Sequence, residues 1–144
     1  MTDAVVTLKK GEGRYLQKGG PWIYDNEIAD ISPGAEDGGL VRVCGENGWP
    51  LGQGFLNRRS KLTVRMLTRD PGAEINEDFF LMRLKNAWEY RKKVVDTSSC
   101  RLVFGEADFL PGLVVDKFSD VLVVESLALG IDRWKPVILE KLKK

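Results

Sequence analysis

The residues able to do chemistry fall into three short stretches. From Arg58 to Arg69 the chain places Arg58, Arg59, Lys61, Arg65 and Arg69 with no acid among them. From Lys9 to Lys18 it places Lys9, Lys10, Arg14 and Lys18 against the single acid Glu12. Cations at this density suit phosphate groups, and if the two stretches meet in the fold they make one focused positive face. The alternative is that each is a solvated edge. The third stretch, Gly105 to Asp116, carries Glu106 and Asp108 two residues apart. Paired carboxylates can do acid–base work or hold a metal, but no third ligand converges in this run. Leu110-Pro111-Gly112 between apolar segments reads instead as a structural corner, around which Glu106 and Asp108 accept backbone N–H bonds.

Two further segments suit contact with a polyanion. Gly19-Gly20-Pro21-Trp22 sets a tight backbone path in which the glycines let a phosphate come close, with Arg14 and Lys18 nearby. Trp22 itself reads as a core residue held by the turn. In Gly52-Gln53-Gly54 the glycines allow a bulge or a close approach. The segment then ends in Asn57-Arg58-Arg59-Ser60-Lys61, whose amide, guanidinium, hydroxyl and ammonium groups match phosphate and 2′-OH contacts on RNA. A polar surface turn would look the same.

Composition removes other classes. The 144 residues contain no histidine, so there is no Ser-His-Asp triad, no Cys-His dyad and no histidine-ligated zinc. Cys44 and Cys100 are too few for a four-thiolate site or a disulfide scaffold, and read as free thiols used in packing, with a single disulfide as the alternative. Arg101 beside Cys100 could lower its pKa, but no partner for a nucleophile stands nearby. Gly11-Glu12-Gly13 lacks the rest of either nucleotide-binding fingerprint. No catalytic, cofactor or metal site is therefore expected within these residues. The net charge of +1 hides opposing blocks, since Asp25, Glu27, Asp30, Glu36 and Asp37 form a run without a base. No targeting signal or apolar run near the length of a membrane span is present, which points to a cytoplasmic protein.

The elements that position these residues are short at first. Strand patterns occupy residues 4–8, Leu40–Cys44, Trp49–Leu56 and Leu62–Leu67. Lys9 to Lys18 is a basic connection or short helix. Glu46-Asn47-Gly48 reads as a hairpin turn of the primed kind. Short strands with glycine turns predict a small β-barrel. The pattern changes at Asp70-Pro71-Gly72, a candidate domain boundary. Asn76 then caps a helix over 77–95, with Glu77 and Asp78 in its first turn and Arg91, Lys92 and Lys93 in its last. Phe80, Leu84, Ala87 and Trp88 share one face of it. Strands follow at Arg101–Phe104, Leu113–Asp116 and Val121–Leu127. A last helix begins at Asp132, with Ile131, Trp134, Ile138 and Leu142 on one side.

Three stretches, taken in order, resemble one family. They are Gly19-Gly20-Pro21-Trp22-Ile23-Tyr24, then Gly54-Phe55-Leu56-Asn57-Arg58-Arg59-Ser60 through Val64-Arg65, then Gly105-Glu106-Ala107-Asp108-Phe109-Leu110-Pro111-Gly112-Leu113-Val114-Val115-Asp116. The sequence is similar to the N-terminal part of the S-adenosylmethionine-dependent 23S ribosomal RNA cytosine-C5 methyltransferases. The resemblance implies an α+β chain. Its N-terminal part would be a PUA-like β pseudo-barrel that binds RNA, over about residues 1–71. A small central α/β connecting domain with strands flanking a helix would span about 72–144. It also implies that the chain is a fragment. The catalytic cysteine and the S-adenosylmethionine site would lie in an absent C-terminal domain, so neither Cys44 nor Cys100 is the nucleophile. Two positions depart from the family pattern. Gly20 stands where a histidine is usual, and Phe109 stands where a glycine is usual, which changes the turn or plugs an apolar gap.

The expected RNA contacts are Lys9, Lys10, Arg14, Lys18, Gly19, Gly20, Asn57, Arg58, Arg59 and Lys61, with 23S ribosomal RNA as partner and no membrane. The competing expectations are a free-standing, non-enzymatic RNA-binding module and a protein-interaction domain using apolar surface around Trp134 and Phe109.

Overall fold

A computed structural model describes residues 4–143. They form two compact units that divide between Ala73 and Glu74. In the first unit six strands alternate with short connections. They are β1 (Val5–Leu8), β2 (Trp22–Tyr24), β3 (Ile28–Ile31), β4 (Leu40–Cys44), β5 (Pro50–Leu56) and β6 (Leu62–Thr68), with a one-turn helix α1 (Arg14–Gln17) after β1. The sheet order is β2-β6-β5-β4-β1-β3. Neighbours run antiparallel except β1 and β4, which are parallel.

This order forces curvature. β2 and β3 are the two ends of the sheet, yet only the 3-10 turn Asp25–Glu27 separates them along the chain. That link spans at most about 14 Å, whereas six flat strands would hold their edges roughly 24 Å apart. The sheet therefore curls towards a barrel, and the inward side chains form its core. Val6, Leu8, Ile23, Val41, Val43, Leu56 and Val64 are all essentially buried, with Leu16 of α1 packed among them. The acidic run, which shows no strand alternation, nevertheless supplies β3, because Val6 and Thr7 of β1 pair with Ile31 and Asp30.

The turn between β4 and β5 differs from the primed hairpin expected. Gly48 N–H donates to Gly45 O at 2.9 Å, and Gly45 N–H to Trp49 O at 2.9 Å. Gly48 takes φ +83° and Asn47 does not enter the left-handed region. This is a three-residue turn closed by a glycine bulge rather than a two-residue Asn-Gly turn. At the boundary signal Asp70-Pro71-Gly72 the chain is held by Gln53. This side chain is buried, and its Nε2 donates to Asp70 O at 3.2 Å and Ala73 O at 2.8 Å.

In the second unit two helices bracket three consecutive strands, rather than strands flanking a helix. The order is α2 (Glu77–Val94), β7 (Ser99–Phe104), β8 (Leu113–Phe118), β9 (Val121–Ser126) and α3 (Leu129–Leu142). The sheet is antiparallel with order β7-β8-β9. Asn76 caps α2 as its sequence suggests, its Oδ1 accepting Phe79 N–H at 3.0 Å. Phe80, Leu84 and Ala87 are buried, joined by Phe79. Phe80 stacks at 4.6 Å on Trp134 of α3, which begins three residues before Asp132 and buries Ile131 and Ile138.

The Gly105–Asp116 stretch is a corner, as its Leu-Pro-Gly turn suggests. Glu106 Oε1 accepts Gly112 N–H at 3.0 Å and Asp108 Oδ2 accepts Phe104 N–H at 2.7 Å. Phe109 neither changes this turn nor plugs a gap. It takes φ 60°, ψ 30°, the left-handed conformation that glycine adopts freely, and its ring is 67% exposed with the Arg83 guanidinium 5.5 Å from its centre. A β-carbon costs about 1–2 kcal/mol in that region, and glycine returns part of this through unfolded-state entropy. Phe109→Gly is therefore expected to stabilise the second unit by roughly 0.5–1 kcal/mol, read from the urea midpoint. A loss of stability would mean that the Arg83–Phe109 ring contact outweighs the strain.

Candidate nucleic-acid interface

The structure separates the two basic stretches. β5 and β6 form a hairpin whose tip, Asn57 to Lys61, lies at one end of the strands. The loop after β1 lies at the other end, beside the β4–β5 turn, because β1 runs parallel to β4 and Thr7 pairs with Cys44. Seven-residue strands put about 20 Å between these ends. One focused face combining Lys9–Lys18 with Asn57–Lys61 is therefore not formed, since strand direction carries the hairpin tip away.

At the first end, Lys9, Lys10, Arg14 and Lys18 are exposed. Lys9, Lys10, Gly11, Glu12 and Arg14 line one side of an open groove of about 340 Å³, and Gly45, Glu46 and Asn47 line the other. Arg69, at the end of β6, returns to this end, because a methyl group placed on Gly19 would sit 3.8 Å from Arg69 Nη2. Gly19 is exposed with φ +105°, while Gly20 is buried. Close approach of a phosphate to this turn is thus available at Gly19 and not at Gly20. Trp22 is half-buried in β2, paired with Arg65 of β6.

At the second end, two of the four expected contacts hold the local fold. Arg58 Nε lies 3.1 Å from Asp37 Oδ1, which also accepts Arg58 N–H at 2.9 Å, and Arg58 Nη2 donates to Ala35 O at 3.1 Å. The Arg58 N–H, and then its guanidinium, hold the Asp37 carboxyl below the usual carboxylate range against a desolvation cost. Because that pKa is depressed, the contact contributes to stability above the unfolded carboxylate pKa and is lost as pH falls through the folded value. Asn57 Oδ1 accepts Arg59 N–H at 3.1 Å. Arg59 and Lys61 are exposed at the tip. The acidic run, read as a mere counterweight to the bases, thus supplies a specific partner to one of them.

In the second unit the Glu106 and Asp108 carboxylates are engaged by the fold. Asp108 is engaged by Arg91, with Nη2–Oδ2 at 2.7 Å and Nη1–Oδ1 at 3.1 Å. A cavity of about 550 Å³ in this unit is lined mainly by Leu84, Trp88, Leu102 and Leu122, with Lys85 and Lys117 beside them. Cys44 is buried and Cys100 half-buried, both as free thiols. No helix is long and apolar enough to cross a membrane among the described residues.

Residues 6–69, which lie within the first unit, match the model of the PUA-like domain family. Over 141 residues the chain is 34% identical to the ribosomal RNA large subunit methyltransferase I of Shewanella frigidimarina, covering 95% of this chain and 36% of that protein. It is 32% identical over 144 residues to the protein of the same name from Alteromonas mediterranea, covering 98% of this chain and 36% of that one. The chain thus spans about a third of the length of these curated relatives. Its fold is similar to that of a solved Streptococcus mutans chain assigned as a SAM-dependent methyltransferase, with TM-score 0.81, 14% identity, and 96% of this chain and 37% of that chain covered. A second solved chain, assigned as a methyltransferase and complexed with SAH, gives TM-score 0.79 at 14% identity, over 96% of this chain and 36% of that chain.

Proposed function

We propose that this chain is the RNA-docking portion of a longer S-adenosylmethionine-dependent methyltransferase, which modifies C5 of a cytosine in 23S ribosomal RNA. The observation that carries the docking role is the gathering of Lys9, Lys10, Arg14, Lys18 and Arg69 at one end of a PUA-like sheet. Exposed cations on a rigid rim bind phosphates by charge and shape. Arg59 and Lys61, at the far end, form a second and smaller contact.

We assign the methyl donor to a part of the parent outside these residues. A dinucleotide- or SAM-type cradle needs a glycine-rich turn leading from a parallel strand into a helix. Among the described residues the parallel pair is β1 and β4, and β1 leads through the basic Lys9–Gly13 loop into a four-residue helix. No chemical step is assigned to this chain, and the cofactor belongs to the part of the parent that it lacks. A reading frame that continues past Lys144 into a methyltransferase domain is expected. A stop codon immediately after Lys144 would overturn this part of the reading and leave a free-standing RNA-binding module.

The second unit supports the longer parent. On the sheet face where Arg101 pairs with Asp116, Phe104, Phe118, Val121 and Val123 are each more than half exposed. Such an apolar face is what an adjoining domain covers. Phe109 is exposed as the protein-interaction alternative expected, but Trp134 is spent on Phe80.

Docking by phosphate contacts predicts salt dependence. Binding to a structured ribosomal RNA fragment should weaken steeply with salt, and each of Lys9→Ala, Lys10→Ala and Arg14→Ala should lower the log–log slope by roughly 0.7–0.9. Arg58→Ala should change that slope little, because Arg58 is held by Asp37. Fluorescence anisotropy at two salt concentrations measures both. No binding at low salt would overturn the docking role.

A further inference from the structure

We propose that Trp49 is a stacking platform for an unpaired RNA base, with Lys9, Lys10 and Arg14 holding the flanking phosphates across the groove. The proposal rests on the RNA-docking reading and names the form of RNA that this end of the sheet takes. Trp49 is 69% exposed, whereas Trp22, Trp88 and Trp134 are each at least half-buried. It stands in the β4–β5 turn, whose Gly45, Glu46 and Asn47 form the groove wall opposite Lys9, Lys10 and Arg14.

The turn fixes the backbone that carries the indole. Trp49 N–H donates to Asn47 Oδ1 at 3.0 Å, Trp49 O accepts Gly45 N–H, and Gly48 N–H closes onto Gly45 O. Pro50 follows directly and restricts the backbone on the other side. With the backbone fixed, only the two side-chain torsions of Trp49 need to be ordered when a base stacks on it. The charges of the groove point the same way. Glu12 and Glu46 stand beside three of the five cations at this end and offset part of their charge, which leaves room for a contact that does not depend on charge. Stacking adds affinity to the phosphate contacts without sequence preference, because every base has a π-face. Only an unpaired base can reach the indole, since bases inside an A-form duplex are not offered for stacking.

The test compares wild type, Trp49→Ala and Trp49→Phe, binding a labelled single-stranded RNA oligonucleotide and a blunt duplex of the same sequence, by anisotropy at several salt concentrations. Trp49→Ala should weaken single-strand binding about 5- to 100-fold, with an unchanged salt slope and unchanged duplex binding. Trp49→Phe should recover most of the loss. Thermal unfolding should show both variants folded, because the ring is exposed. Single-strand binding by Trp49→Ala equal to wild type overturns the stacking role alone, as does an equal loss on the duplex. Wild type that binds neither RNA at low salt overturns the docking reading, and the stacking role with it.

Discussion

Asp108→Asn is expected to destabilise the second unit by about 3–5 kcal/mol, the range seen when one member of a buried ion pair is removed. The side chains of Arg91 and Asp108 are 13% and 9% exposed, and their two parallel hydrogen bonds run at 2.7 Å and 3.1 Å. Asp108 also accepts Phe104 N–H, while Arg91 Nε donates to Arg101 O at 2.8 Å. One carboxylate therefore ties the end of α2 to the end of β7. Asparagine keeps the volume but turns an NH₂ group towards a guanidinium that has lost its counter-charge. Urea unfolding followed by the fluorescence of Trp88 and Trp134 measures the loss. A change below about 1 kcal/mol would mean that water or rearrangement compensates Arg91, and that the corner is not what anchors α2. Binding of RNA by the first unit should not change.

Gly52→Ala is the matching prediction for the first unit, with an expected cost on the order of 3–4 kcal/mol. Gly52 takes φ +149°, a conformation L residues rarely adopt. A β-carbon there would press into the Thr68 carbonyl oxygen, 2.8 Å from Met66 Cε and 3.0 Å from Arg69 Cα. Thr68 and Arg69 are backbone at the irregular part of the β5–β6 register and cannot yield as a side-chain tip would. Gly34→Ala is the control, since nothing lies within 4 Å of a β-carbon there and its φ is ordinary. Gly34→Ala should be close to neutral while Gly52→Ala lowers the urea midpoint sharply. Equal midpoints for the two would show that β6 moves aside at little cost. The effect should reach the groove as well, because displacing Arg69 disturbs the cation next to Gly19.

These two predictions rest on different kinds of legibility. The Asp108 corner could be read along the chain, because its signals are local. A Leu-Pro-Gly turn and two carboxylates four and six residues from their N–H partners act over one bend. The same holds for Asn76 capping α2, for the apolar face of α2, and for strands β1, β4, β5 and β6, whose patterns and flanking glycines sit within each element. Arg91 as the partner of Asp108 was not legible, since 17 residues separate them and only packing of α2 on the sheet brings them together.

By itself, then, the sequence determined most of the elements and their ends, the absence of histidine chemistry and the density of cations. Tertiary structure alone decided where those cations go. Strand β3 was hidden because its run is acidic and lacks alternation, and it forms because β1 offers an unpaired edge. Sheet order set β1 parallel to β4, which sent Lys9–Lys18 and Asn57–Lys61 to opposite ends and returned Arg69 to the first of them. Asp37 captured Arg58, and the turn at Gly48 left one tryptophan of four in solvent. Local pattern reports what a segment prefers within a few residues, whereas register and direction follow from burying all the apolar faces at once. A binding surface is assembled from the residues which that burial leaves outside.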